Sequence, residues 1–165
     1  MALTDLILVC DSAQNSAQRF NRLCIQINRA NTAIGRQIFQ VPAAANVVSQ
    51  GQALRVHALV IPNGASGGLE TVCVDVARDR LNAGGNNAGT QIEGWVDQFA
   101  NNACVNWTVE KRDKLRLQAF ISAAWKSKPD MHFSQLFDIT GNHVIPLLSP
   151  TFATIRTFLD AVSAL

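Results

Sequence analysis

Leu6-Ile7-Leu8-Val9-Cys10-Asp11 is the stretch that decides the fold: five apolar residues in an unbroken run, stopped by an acid. A strand covered on both faces reads as a continuous apolar run, whereas one with a wet face alternates. Residues 12–16 are small and polar. From 16 to 30 the apolar positions Ala17, Phe20, Leu23, Cys24 and Ile27 recur at helical spacing, with Arg19, Arg22 and Arg29 carrying most of the charge. Residues 38–41 form a short strand candidate ended by Pro42, and 43–53 read as loop. Residues 54–61 make a second strong strand, opened by Arg55 and closed by Pro62. Strand, helix and strand at this spacing predict a parallel crossover, right-handed by the usual rule. Asp11 then stands at the carboxyl end of a buried strand, where open α/β sheets hold ligands and metals.

The second half is helical. After Pro62-Asn63-Gly64-Ala65-Ser66-Gly67-Gly68, the residues Leu69, Val72, Cys73 and Val76 fall at helical spacing. The Gly- and Asn-rich stretch 82–90 reads as a flexible surface loop. One helix follows with Ile92, Trp95, Val96, Phe99 and Ala103 on a single apolar face, and another over about 109–126 carries Leu117, Phe120, Ile121 and Ala124. The closing helix has Ser149 as N-cap and Pro150 at its first position, with Phe152, Ile155, Phe158, Leu159 and Val162 facing inward. The expectation is one α/β domain over 1–165 with a central, mainly parallel sheet and a helical C-terminal half.

Composition narrows the class. The chain has 165 residues, 48% of them hydrophobic, which is enough apolar surface to order a core. A net charge of +2 is too small to argue for a nucleic-acid partner by itself. Cys10, Cys24, Cys73 and Cys104 show neither a CxxC pair nor zinc-like spacing and, with three of them on predicted apolar faces, read as buried free thiols. No stretch approaches the ~18 apolar residues of a membrane span and no basic-then-apolar leader opens the sequence, so the expectation is a cytoplasmic protein without a membrane partner. The sequon Asn106-Trp107-Thr108 is then incidental.

Each candidate site residue has two readings. Asp11 is a metal ligand or the cap of the following turn and helix, a task Asn15 can equally perform. Glu70 is a second oxygen ligand near the neighbouring strand end, or an acid favoured by a positive helix end. The glycines after Asn63 lack the Lys and Ser/Thr of a P-loop. Lys111, Arg112, Lys114 and Arg116 present a basic cluster able to meet a nucleic-acid backbone, but Glu110 and Asp113 are interleaved with it, as on a solvated helix face. Trp107 and Trp125 read as packing residues. His57 reads as a satisfied strand histidine, and His132 and His143, with Asp130 or Asp138, have loop spacing too arbitrary for a metal pair. No GxSxG surrounds any serine.

The order of pieces resembles an uncharacterised prokaryotic family with a Toprim-like fold. The resemblance rests on strand-Asp-helix in 5–30, strand 54–61 ending in Ile-Pro-Asn, and Gly67-Gly68-Leu69-Glu70 opening a helix. It extends through Lys111-Arg112-Asp113-Lys114-Leu115-Arg116-Leu117, Phe133-Ser134-Gln135-Leu136-Phe137-Asp138 and the closing Ser149-Pro150-Thr151-Phe152 helix. The resemblance implies a three-layer domain related to those of topoisomerases, primases and OLD-type nucleases. Such domains hold Mg²⁺ with a glutamate after the first strand and an Asp-x-Asp pair after a later one, since hard cations need oxygen ligands. Asp11 then matches the first Asp of the pair, Ala13 replaces the second, and the strand bearing the glutamate is expected before residue 1, making this an amino-terminally shortened member. The implied function is a non-catalytic structural or interaction role, with nucleic acid or a protein as partner. The alternatives are a Mg²⁺-dependent nuclease or nucleotidyl-transfer domain in which Asp11 and Glu70 hold the metal, and an oligomeric scaffold. Asn15, Asn63, Lys111, Arg112 and Lys114 are the candidate binding residues. A sheet left open on one side predicts a homodimer.

Overall fold

The computed structural model describes residues 3–12, 15–51, 54–102, 107–124 and 145–165. Along the chain run β1 (Asp5–Asp11), α1 (Ser16–Ile34), β2 (Phe39–Gln40), β3 (Leu54–Ile61), α2 (Leu69–Asn82), α3 (Ala88–Asn102), α4 (Val109–Ala124) and α5 (Ala153–Ser163). They gather into two compact units, one holding the chain up to Gly68 together with Ala153–Leu165, the other Leu69–Phe152. The class is α/β, with a small parallel sheet and a predominance of helix. No helix among the described residues is long and apolar enough to cross a membrane.

In the first unit the sheet has the order β1-β3-β2, and both pairings are parallel. Asp5 lies opposite Arg55 and Asp11 opposite Ile61, so β1 and β3 are in register over their whole common length. The central strand is β3, buried from Val56 to Ile61. The apolar run that opens the chain behaves differently from expectation: β1 is the outer strand, half-exposed along its length, and Val9 is 62% exposed. Its hydrophobicity is continuous, but its position lets cover reach only part of it.

Helix α1 packs on all three strands, through a face of half-buried Phe20, Leu23 and Cys24 around buried Ile27. Its last turn also organises β2, because buried Asn31 accepts from the backbone N–H groups of Ile38 and Phe39 (3.0 and 2.9 Å) and donates to the Phe39 carbonyl (2.8 Å). The helix ends at Gly35, whose φ of 74° is the left-handed C-cap conformation that glycine adopts without a Cβ clash. Strand β2 pairs only with Leu54 and Arg55. Beyond it the preceding loop completes the ladder along β3. Ser49 Oγ donates to the Val56 carbonyl (2.6 Å), Asn46 N–H to the Ala58 carbonyl (2.7 Å), and the Asn46 side-chain amide both accepts from Val60 N–H (2.7 Å) and donates to Val60 O (3.1 Å). Side chains thus occupy the places a strand backbone would fill, and a buried strand keeps its polar groups satisfied.

In the second unit α2, α3 and α4 pack pairwise. Val72, Cys73, Val74, Val76 and Ala77 of α2 meet a core shared with Ile92, Val96, Ala100, Leu117, Phe120 and Ile121. The stretch 82–90, expected to be a flexible loop, is a short 3₁₀ turn over Ala83–Gly85 leading into α3. It is clasped by Asn82, whose amide donates to Thr90 Oγ1 (2.9 Å) and accepts from Thr90 N–H (3.2 Å). Gly89 is a close approach: a Cβ there would stand 2.6 Å from the Arg78 carbonyl oxygen. The closing helix also departs from its predicted pattern. Phe152 and Phe158 are buried as expected, but Pro150–Phe152 is a 3₁₀ turn and Leu159 is exposed.

Candidate functional site

The carboxyl end of the sheet is where the sequence places chemistry. Asp11 is the last residue of β1 and is exposed. Ser12 is buried, prolongs the ladder through its N–H to Ile61 O (2.8 Å), and directs its hydroxyl at the carbonyls of Ala65 (2.6 Å) and Gly67 (3.1 Å). The loop leaving β3 is therefore fastened to the end of β1. The cap of α1 is Asn15, whose Oδ1 accepts from Gln18 N–H (3.0 Å); Asp11 is tied to the helix through its backbone carbonyl, which accepts from Arg19 Nε (3.2 Å). Asn15 thus performs the helix-capping task, which gives that binding candidate a structural occupation. Asn63 is exposed in the loop after β3.

The other candidates lie in the second unit. Glu70 is in the first turn of α2, with Lys114 Nζ 3.7 Å from its carboxylate; Lys114 is closer still, 2.9 Å, to Glu110. Lys111 is exposed on α4, and Arg112 donates to Asn101 Oδ1 on α3 (3.2 Å). The interleaved Asp113 is not on a solvated face. It is buried, accepting from Thr71 Oγ1 (2.7 Å) and from Arg116 Nη1 (2.8 Å), while Arg116 reaches Asp97 with its other nitrogen (2.6 Å). Burial works against the Arg116 cation, and the two carboxylates outweigh it and raise its pKa. This chain of polar groups links α2, α3 and α4 inside the unit. Among the described residues no three His, Cys, Asp or Glu side chains gather as a metal cluster. Trp125, Asp130, His132, Asp138, His143, Cys104 and Ala13 lie outside the described residues.

At the opposite, amino end of the sheet is a charged cluster that sequence reading did not single out. Asp5 accepts from Arg55 through both carboxylate oxygens (2.7 and 2.6 Å) and lies 2.7 Å from His57 Nε2. His57 is fully buried, and its Nδ1 accepts from Ser49 N–H (3.1 Å). An N–H donates only to an unprotonated ring nitrogen, so Nε2 carries the proton and donates to Asp5. The ring has both nitrogens spent inside the protein and presents neither to a substrate. Arg55, then His57, hold the Asp5 carboxyl well below the usual carboxylate range. The available signal was the i, i+2 spacing of Arg55 and His57, which puts them on one face of β3.

Among the described residues Cys73 is a buried free thiol, while Cys10 and Cys24 are free but only half-buried. Burial raises the pKa of Cys10 and Cys24, and burial together with nearby Glu70 pushes Cys73 up to about 12.

A different feature stands out on α3. Ile92 and Val96 are buried, but Trp95 is 67% exposed and Phe99 59% exposed, so the single apolar face read from the spacing is only partly covered. The buried sector follows Gly89, Ile92, Val96 and Ala100, and Trp95 and Phe99 fall on its flank. With Gln98 and Asn102 they line a shallow groove of about 380 Å³. Trp107 packs against Phe99, with ring centroids 6.1 Å apart and planes tilted by 55°. No family model, curated protein or solved structure matches the chain. The groove offers two aromatic rings for contact area and two amides able to fix an orientation.

Proposed function

We propose that this chain is a non-catalytic interaction protein on a Toprim-like α/β frame, and that the aromatic face of α3 is its contact surface. The observation that carries this reading is the exposure of Trp95 and Phe99 side by side. Rings of this size bury roughly 150–250 Å² each when covered, so together they leave about 300 Å² of apolar surface in water. At ~25 cal/mol/Å² this is about 7 kcal/mol of burial that a partner would realise, before the costs of association. Trp is also among the residues on which interface energy concentrates. Oxidative footprinting tests the reading. Trp95 and Phe99 should be protected in a concentrated extract of the producing cells relative to the dilute purified protein. Equal labelling in both states refutes it.

The second reading is Mg²⁺-dependent phosphodiester chemistry with Asp11 as a metal ligand, favoured by its exposed position at the carboxyl end of a parallel strand. Calorimetric titration with Mg²⁺ or Mn²⁺ should then give binding tighter than about millimolar, lost in Asp11→Ala. Absence of heat and of any shift in melting temperature removes this reading.

A further inference from the structure

We infer that the α3 groove is built to receive a second copy of itself, making the protein a two-fold dimer through Trp95 and Phe99. The inference rests on the interaction reading above and adds the identity of the partner. Charge carries it. Between Asn86 and Thr108 the only charged side chains are Glu93 and Asp97. Each is engaged within the unit, Glu93 with Arg78 (3.5 Å) and Asp97 with Arg116 (2.6 Å). The side chains lining the groove are aromatic rings and uncharged amides: Trp95, Gln98, Phe99 and Asn102.

A two-fold interface brings a patch against its own image, so residues near the axis face themselves. A charged residue there would meet its like charge. Amides, which carry both donor and acceptor, and rings, which pair edge to face, are the side chains that can meet their own copies. A nucleic-acid backbone would instead need exposed lysine or arginine along the groove, and α3 contains neither. Size sets the strength. Helix α3 has 15 residues and is about 22 Å long. One helix face supplies less than the roughly 800 Å² per partner of a standard interface. The dimer is accordingly expected in the micromolar range, at about 1–100 µM.

Sedimentation velocity of the purified chain from about 1 to 500 µM tests this. Wild type should show a monomer–dimer equilibrium whose Kd changes by less than about twofold between roughly 50 and 500 mM salt, since no charges meet. Phe99→Glu and Phe99→Lys should each be monomeric with unchanged circular dichroism, and an equimolar mixture of the two should dimerise again, because the axis then pairs opposite charges. A wild type that stays monomeric to about 500 µM, or a dimer that persists in both variants, or a mixture that stays monomeric, overturns the self-association. A monomeric wild type whose Trp95 is still protected in extract overturns only this inference and leaves the interaction reading standing. A salt-sensitive complex with an oligothymidylate that buries Trp95 in a monomer overturns it in favour of nucleic acid.

Discussion

Replacing Asn46 by alanine removes the two side-chain hydrogen bonds that stand in for a strand beside Val60. Val60 is buried, so its N–H and carbonyl lose their partners where water does not readily substitute. An orphaned buried backbone group costs about 1–3 kcal/mol, so the pair costs about 2–6 kcal/mol. Asn46 also sits at φ 58°, a left-handed conformation that asparagine tolerates and that costs alanine roughly 1 kcal/mol more. The sum is about 3–7 kcal/mol, a large share of the total stability of an ordinary domain. With a urea m-value of about 2 kcal/mol/M, the midpoint should fall by about 1.5–3.5 M. Asn46→Gly loses the same bonds but keeps the backbone conformation, and should fall about 1 kcal/mol less. Asn46→Asp retains the acceptor for Val60 N–H while turning a carboxylate toward Val60 O, and should lie between wild type and alanine. Urea unfolding is best followed by far-ultraviolet circular dichroism, because Trp95 and Trp107 belong to the other unit. Hydrogen exchange at the Val60 amide should accelerate in step. A midpoint within about 0.2 M of wild type in all three variants would show that Asn46 does not support β3. Equal loss in alanine and glycine would show that the φ argument is wrong.

Gly89→Ala should destabilise the protein by about 1–3 kcal/mol in the same assay, because its Cβ would meet the Arg78 backbone rather than a movable side chain. Asp5→Asn should alter the acid dependence of stability. The Asp5 carboxyl is held below its ordinary value of 3.8, so its contribution is complete above that pH and is lost as pH falls through the lower folded value. The difference between wild type and variant should therefore be constant from neutrality to about pH 5 and shrink in stronger acid; a gap that widens there refutes the sign. Cys73, with its thiol near 12, should resist a thiol-specific disulfide reagent at pH 8 in the native state and react on unfolding.

What was legible in the sequence was the material of each element. Strand β3 runs from Leu54 to Ile61 as its bounding residues indicate, and the helical spacing of Phe20, Leu23 and Ile27 did mark the packed face of α1. What periodicity does not carry is the width of the contact or the place in the sheet. Ile92, Trp95, Val96 and Phe99 satisfy one helical pattern, yet the neighbours of α3 cover only the narrower sector through Ile92, Val96 and Ala100. The apolar run in β1 is compatible with a central strand and turns out to be the outer one. Polar residues were harder still. Asn46 and Ser49 sit in a stretch whose composition reads as loop, and their work is to bond the backbone of a strand eight or more residues away from Asn46. Asp113 is interspersed with basic residues as a surface acid would be, and its burial depends on Thr71 and Arg116 being brought to it by packing.

The substitute strand has a consequence for the order in which the protein is made. Asn46 and Ser49 precede β3 in the chain, and their bonds to it span only 14 and 7 residues, whereas β1 and β3 pair across 50. As β3 emerges from the ribosome, the groups that will occupy one of its sides have just been synthesised, and a loop of this length closes in well under a microsecond. The distant pairing with β1 has a larger loop-closure entropy to overcome and is slower to find. The strand that ends buried at the centre of the sheet thus has a short-range route to masking one row of its backbone hydrogen-bonding groups. Chains that must wait for a remote strand leave such a row open to their neighbours for longer.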